Sequence, residues 1–258
     1  MIEGGFKITK KFLHSHHKMR AMERKIFLVV TAGGSGTRMG GPIPKQFVEL
    51  EGIPVLQRTI SVFRKSIPGI QIVTVLPPSH IDYWKKLCAK NNFNVPQKIV
   101  EGGFTRFHSV RAALEVVPDG AIVAVHDAVR PLISVEGIRS LFAAMDSARA
   151  VIPVLPVTDT LKVLDRGDDG ELTESGEKAD RSRLFRAQTP QIFLSEELKA
   201  AYAKGYDVSF TDDASVASAY GIPLSFKAGE RFNIKLTTRE DMLLARFILH
   251  LSERGKSF

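Results

Sequence analysis

Apolar and polar positions alternate along this chain with two different periods. Ile26-Phe27-Leu28-Val29-Val30 is an apolar, β-branched run, too short for a helix and suited to a strand buried on both faces. The spacing over Val55–Phe63 predicts a helix, Ile70–Leu76 a strand, His80–Lys90 a helix and Gln97–Val100 a short strand. A helix over Thr105–Val116 and a strand over Ala121–His126 continue the series. Strand and helix taking turns predicts parallel pairing, right-handed crossovers and helices on both faces of one sheet. Further on, Val151–Val163 and Leu184–Gln191 are β-type runs around a polar, glycine-containing stretch, which suits a long hairpin arm at about 157–187. Its tip, roughly Asp165 to Asp180, has little to pack against in a monomer; a surface loop is the alternative. Ser195–Lys204 and Glu240–Leu251 read as helices, and no repeat or interdomain linker interrupts the pattern. The expectation is one α/β domain over 25–258, with 1–24 as a disordered or tag-like extension.

Composition narrows the classes. A chain of 258 residues with 44% apolar content can bury one substantial α/β core. The net charge of +8 suggests nucleic acid, yet residues 1–25 hold seven Lys/Arg against two Glu, and so five of the eight charges. What remains suits small anionic substrates better than a duplex-binding surface. Cys88 is alone, which excludes an intramolecular disulfide or a Cys-based metal site and fits a reducing compartment. There is no apolar run long enough for a membrane span and no secretory h-region, so a cytoplasmic protein without membrane partners is expected. His14, His16 and His17 are spaced too irregularly for a metal tract and fit a tail or a misassigned start before Met22.

Three clusters carry chemistry. After the first strand comes Thr31-Ala32-Gly33-Gly34-Ser35-Gly36-Thr37-Arg38, then Pro44-Lys45-Gln46-Phe47. Glycines let the backbone N–H groups approach a phosphate, and Arg38 and Lys45 put two cations at the same anion. A Walker loop is excluded because Pro42 follows Gly41, and a dinucleotide fingerprint because Met39 stands where its third glycine is needed. The second cluster is His126-Asp127-Ala128-Val129-Arg130-Pro131, where Asp127 at a strand end is either a Mg²⁺-supporting carboxylate or a turn aspartate. The third is Gly102-Gly103-Phe104-Thr105-Arg106-Phe107-His108-Ser109, able to read a base and ribose or simply to start a capped helix. Parallel sheets bind ligands at the carboxyl ends of their strands, which places 31–45 and 126–131 in one cleft.

With these blocks in order from residue 25 to about 252, the chain resembles the nucleotidyltransferases that make sugar or polyol nucleotides, and within them the cytidylyltransferases acting on 2-C-methyl-D-erythritol 4-phosphate. The resemblance implies a Rossmann-like fold of the nucleotide-diphospho-sugar transferase type, with the hairpin as a dimerisation arm crossing to a second subunit. It implies CTP contacts at Ala32, Gly33, Gly34, Ser35, Gly36, Gly103, Arg106, Ser109, Asp127 and Ala128. It implies acceptor contacts at Arg130, Thr160, Thr189 and Asp212, although a helix cap explains Asp212 equally well and Gln188-Thr189-Pro190-Gln191 reads as mainly architectural. Arg181 and Lys235 are expected to position the attacking phosphate, with Arg181 and Thr160 supplied by the partner's arm. Mg²⁺, or another divalent cation such as Mn²⁺, is expected near Asp127. His126 and His108 are given no chemical role.

The implied reaction needs no general base, because a phosphate monoester is already anionic near neutral pH. It needs positioning and positive charge at the α-phosphate, for which Arg38 and Lys45 are the candidates. A ribitol 5-phosphate cytidylyltransferase is the nearest alternative; Asp-Ala-Val-Arg-Pro and Pro-Val-Thr-Asp-Thr-Leu-Lys favour methylerythritol phosphate. A nicotinamide oxidoreductase would require the glycine missing at position 39, and a nucleic-acid binder a basic face beyond the tail.

Overall fold

A computed structural model describes residues 24–33 and 43–253. The extension before Arg24 therefore lies outside the described residues, as do Gly34, Ser35, Gly36 and Arg38. The first strand, β1 (Ile26–Thr31), sits in the middle of an eight-stranded sheet. Its alternation explains the position: Leu28 and Val30 pack into one apolar layer and Phe27 and Val29 into the other, so both faces need cover. β1 pairs in parallel with β4 (Gln71–Leu76) on one side and β6 (Ile122–Asp127) on the other, and β5 (Gln97–Glu101) extends the parallel set beyond β4.

The crossovers supply the cover. Helices α1 (Val55–Ser66), α2 (Pro78–Lys90) and α4 (Val135–Ala143) present Leu56, Ile60, Phe63, Trp84, Ile138 and Leu141 to one face. On the other face α3 (Arg106–Leu114), α5 (Ser195–Tyr202) and α6 (Asp213–Ala219) contribute Phe107, Val110, Leu198, Tyr202 and Ala214. A short hairpin, β2 (Glu49–Leu50) with β3 (Ile53–Pro54), joins Val129, Leu236 and helix α7 (Arg239–Glu253) in a smaller apolar cluster at the carboxyl end of the strands.

The remaining strands make the sheet mixed. β7 (Ala150–Pro156) is paired with β12 (Leu224–Ala228) in parallel, and with β10 (Phe185–Ala187) and β11 (Gln191–Leu194) antiparallel. β11 also pairs antiparallel with β6, so it is wedged between β6 and β7. Residues 185–194 thus act as one strand broken at 188–190, and the break lies beside the end of β6. Between β7 and β10 the chain makes the hairpin excursion expected from its sequence, with β8 (Leu164–Arg166) and β9 (Leu172–Glu174) paired near its tip. Leu161, Leu164, Leu172, Leu184 and Phe185 are exposed along it.

Candidate active site at the carboxyl edge of the sheet

The parallel strands β1, β5 and β6 end on the same edge, and the loops leaving them enclose a cavity of ≈ 260 Å³. Thr31, Ala32 and Gly33 come from the end of β1, Gly103 to Arg106 from the turn into α3, and Asp127 and Val129 from the end of β6. Lys45, Gln46 and Lys235 complete the lining with Ser109. Gln46 is buried and its Nε2 donates to the Ala32 carbonyl at 2.9 Å. That bond ties the Pro-Lys-Gln-Phe turn to the glycine-rich segment and fixes where Lys45 emerges.

The turn between β5 and α3 is held as tightly. Gly102 N–H donates to the Leu76 carbonyl at 2.8 Å, and Gly103 N–H to Ser109 Oγ at 3.1 Å. A Cβ at Gly103 would stand 2.5 Å from the Cβ of His108, so only glycine lets this backbone lie against the first turn of the helix. Thr105 caps α3, its side chain accepting from the His108 N–H.

Asp127 is the one acidic side chain among the described lining residues, and cations surround it. Lys235 Nζ lies 3.1 Å and Arg130 Nε 3.2 Å from Oδ2, while Arg106 Nε lies 4.0 Å from Oδ1. Burial opposes charge on this carboxyl, but Lys235, Arg106 and Arg130 outweigh it and hold its pKa well below the usual carboxylate range. Arg106 is itself clamped: its two Nη atoms donate to the carboxylate of the fully buried Asp213 at 2.8 and 2.5 Å. Burial disfavours the guanidinium charge, and Asp213 and then Asp127 more than restore it. Tyr202 Oη donates to the same Asp213 at 2.6 Å.

Beneath Asp127 runs a buried relay. His126 is fully buried, and its Nε2 lies 3.1 Å from the Arg130 carbonyl, which can only accept. The ring therefore carries its proton on Nε2, and Nδ1 accepts from the Thr189 hydroxyl at 3.1 Å. Thr189 Oγ1 in turn accepts the Asp127 N–H at 3.1 Å. Burial lowers the His126 pKa to about 4, so the relay is neutral at physiological pH.

The other expected site residues fall in several places. Ala128 is buried with both backbone groups engaged: its N–H donates to the Thr31 carbonyl and its carbonyl accepts from Thr59 Oγ1. Arg130 also donates to the Asn233 carbonyl at 2.8 Å, which locks it beside the cavity and leaves it out of the lining. Thr189 is a support beneath Asp127, because its hydroxyl is already used. Asp212 does not line the cavity; it is the N-cap of α6, in a capping box with Ser215, and accepts from Gln191 Nε2 at 2.7 Å. Thr160 and Arg181 are exposed on the arm, where Arg181 Nη1 donates to the Thr158 carbonyl; neither lines the cavity of its own chain.

Sequence reasoning missed Asp213, Gln46 and Asn233. Asp213 follows Asp212 at a helix start, where one carboxylate can cap and the next turns inward, so the Asp-Asp pair was the available signal. Asn233 Nδ2 donates to the Thr189 carbonyl at 2.8 Å and links the loop before α7 to the broken strand. Among the described residues no group of three or more His, Cys, Asp or Glu could hold a metal ion. A Mg²⁺ ion at this cavity would have Asp127 as its one carboxylate among the described lining residues, which fits a metal that takes few protein ligands.

A mostly parallel sheet whose carboxyl edge carries a cation-rich cavity beside the Gly102–Gly103 turn suits a nucleotidyltransferase. The family model described as IspD, 2-C-methyl-D-erythritol 4-phosphate cytidylyltransferase, matches residues 26–251, and the chain belongs to that family. Proteins of that name from Porphyromonas gingivalis W83 and Bacteroides thetaiotaomicron are 45% and 42% identical over 88% and 86% of this chain, covering 99% and 98% of their own lengths. Among solved structures, 4-diphosphocytidyl-2C-methyl-D-erythritol synthase from Anaerococcus prevotii is 28% identical with a TM-score of 0.72, over 88% of this chain and 99% of that one. The 2-C-methyl-D-erythritol 4-phosphate cytidylyltransferase of Thermus thermophilus has a TM-score of 0.67 at 28% identity, with the same coverage.

Proposed function

We propose that this enzyme transfers CMP from CTP to 2-C-methyl-D-erythritol 4-phosphate, releasing pyrophosphate and forming 4-diphosphocytidyl-2-C-methyl-D-erythritol. The observation that carries the reading is the cavity lined by Lys45, Arg106 and Lys235, the last two beside the Asp127 carboxylate. An acceptor phosphate oxygen attacks the α-phosphorus in line, the bond from the α-phosphorus to the bridging oxygen breaks, and its electron pair leaves with pyrophosphate. No proton must be removed from the nucleophile. His126 is excluded as a base by its burial and its bond to the Arg130 carbonyl.

The protein's task is then to hold charge in place before the reaction begins. Asp127 gathers Lys235 and Arg106 toward the cavity, Asp213 fixes Arg106, and Gln46 fixes the turn bearing Lys45. In this reading Lys45 neutralises the reacting phosphate, as does Arg38, which lies outside the described residues. Lys235 steers the acceptor phosphate. Asp127 would support Mg²⁺, which when bound adds further neutralisation across the phosphates. We assign the arm to a homodimer in which Arg181 and Thr160 reach the partner's cavity; the exposed apolar side chains along the arm support this. A cytoplasmic setting is in keeping with the single Cys88; among the described residues no helix is long and apolar enough to cross a membrane. Phosphorus NMR of a mixture of enzyme, CTP, Mg²⁺ and the methylerythritol phosphate tests the chemistry. Signals of a new diphosphate diester and of free pyrophosphate are expected; release of inorganic phosphate instead would refute nucleotidyl transfer.

A further inference from the structure

Phe104 is fully exposed, at 104% of its reference area, yet it lines the cavity. A phenylalanine left in water forgoes the free energy of burial, and the surrounding architecture does not let it recover that internally. The Gly102–Gly103 backbone is pinned to Leu76 and Ser109 and pressed against His108, so the residue after it cannot fold inward. Phe104 also directly precedes the Thr105 cap, the position from which an apolar side chain normally packs against the fourth helical residue. That residue is Ser109, whose hydroxyl is turned to Gly103. The usual packing partner is missing, and the ring stands at the lip of the cavity.

We infer that Phe104 is a binding residue for the nucleotide, its ring lying against the face of the pyrimidine base and closing the cavity over it. The inference rests on the nucleotidyl-transfer reading and deepens it. The glycine turn beside it has no side chains with which to cover a base, and the exposed aromatic ring just beyond it offers a stacking surface at the lip of the cavity. Stacking of this kind tolerates any base, so Phe104 contributes affinity rather than choice among bases.

The experiment is calorimetric titration of the full-length protein with CTP and, separately, with inorganic tripolyphosphate, which has the same phosphates and no base. Phe104→Ala is expected to weaken CTP roughly 5- to 150-fold, the span of one base–aromatic stack, and to leave tripolyphosphate within about 2-fold. Phe104→Trp should keep CTP affinity, and Phe104→Leu should fall between. CTP affinity unchanged in Phe104→Ala would overturn the role of Phe104 alone. Equal weakening of both ligands would also overturn it, by showing that the change deforms the turn. A wild-type protein that binds tripolyphosphate but not CTP would overturn the cytidylyl reading together with it.

Discussion

Lys235 Nζ stands 3.1 Å from Asp127 Oδ2, joining the segment before α7 to the end of β6 across the cavity. The lysine is about half exposed and the aspartate almost wholly enclosed, so the pair does little for stability and much for direction: the carboxylate aims a mobile cation at the cavity. Lys235→Ala is expected to lower kcat/KM for the acceptor about 10²-fold, with a much smaller effect on the KM for CTP and little change in melting temperature. Steady-state kinetics with each substrate varied in turn checks this; an equal loss toward both would place Lys235 on the nucleotide instead.

The clamp of Asp213 on Arg106 makes a second prediction. Asp213→Asn keeps the shape and removes the charge, leaving Arg106 and Tyr202 facing a neutral amide. Water reaches the guanidinium, which is 30% exposed, so the loss is smaller than for a fully enclosed pair. A cost of about 1–3 kcal/mol is expected in urea unfolding, together with a raised KM for CTP as Arg106 loses its fixed orientation. Normal CTP binding in a destabilised protein would reduce the pair to a purely structural one.

His126 predicts an acid limb of stability. Folded, it stays neutral down to about pH 4, whereas an exposed imidazole takes up a proton near 6.5. Between those values the unfolded chain binds more protons, so the contribution is complete above about pH 6.5 and is lost as pH falls toward 4. The loss amounts to about 3 kcal/mol. His126→Gln should be less stable at pH 7 but should show a flatter decline across that interval, measured by denaturant unfolding at several pH values. An unchanged slope would mean that the imidazole does not stay neutral in the fold.

The helices and parallel strands were legible because their signal is periodic and local: β1 and α1 follow directly from where the apolar side chains fall. β11 was not, because Gln191-Ile192-Phe193-Leu194 pairs antiparallel between β6 and β7, a choice set by strands distant in sequence. α4, with its Ser134 cap, and the short β12 went unread for want of a long repeat. Of the residues that line the cavity, Lys45, Asp127 and Arg106 stood out because their motifs are compact, whereas Lys235 was expected only from the family resemblance. Gln46 and the His126–Thr189 relay act through buried hydrogen bonds between separate elements, which no spacing in the sequence displays, and for Asp213 the adjacent Asp-Asp pair was the one hint. Asp212 and Asp213 make the point in two adjacent residues: identical in type, one caps a helix and the other anchors a guanidinium.

The shared-site reading of the arm can be tested by mixing inactive variants. Lys45→Ala and Arg181→Ala homodimers should each turn over poorly. After subunit exchange, half of the dimers are hybrids with one intact site of two, so about a quarter of wild-type activity should return. No recovery is expected if each chain builds its site alone, and that outcome would refute arm exchange.

The most direct measurement is pyrophosphate release by the wild-type protein with CTP and Mg²⁺, in parallel with 2-C-methyl-D-erythritol 4-phosphate, with ribitol 5-phosphate and with no acceptor. Rapid release that depends on the methylerythritol phosphate, with little above background in the other two, is the predicted result. Release with ribitol 5-phosphate alone, or equal release without any acceptor, would contradict the account.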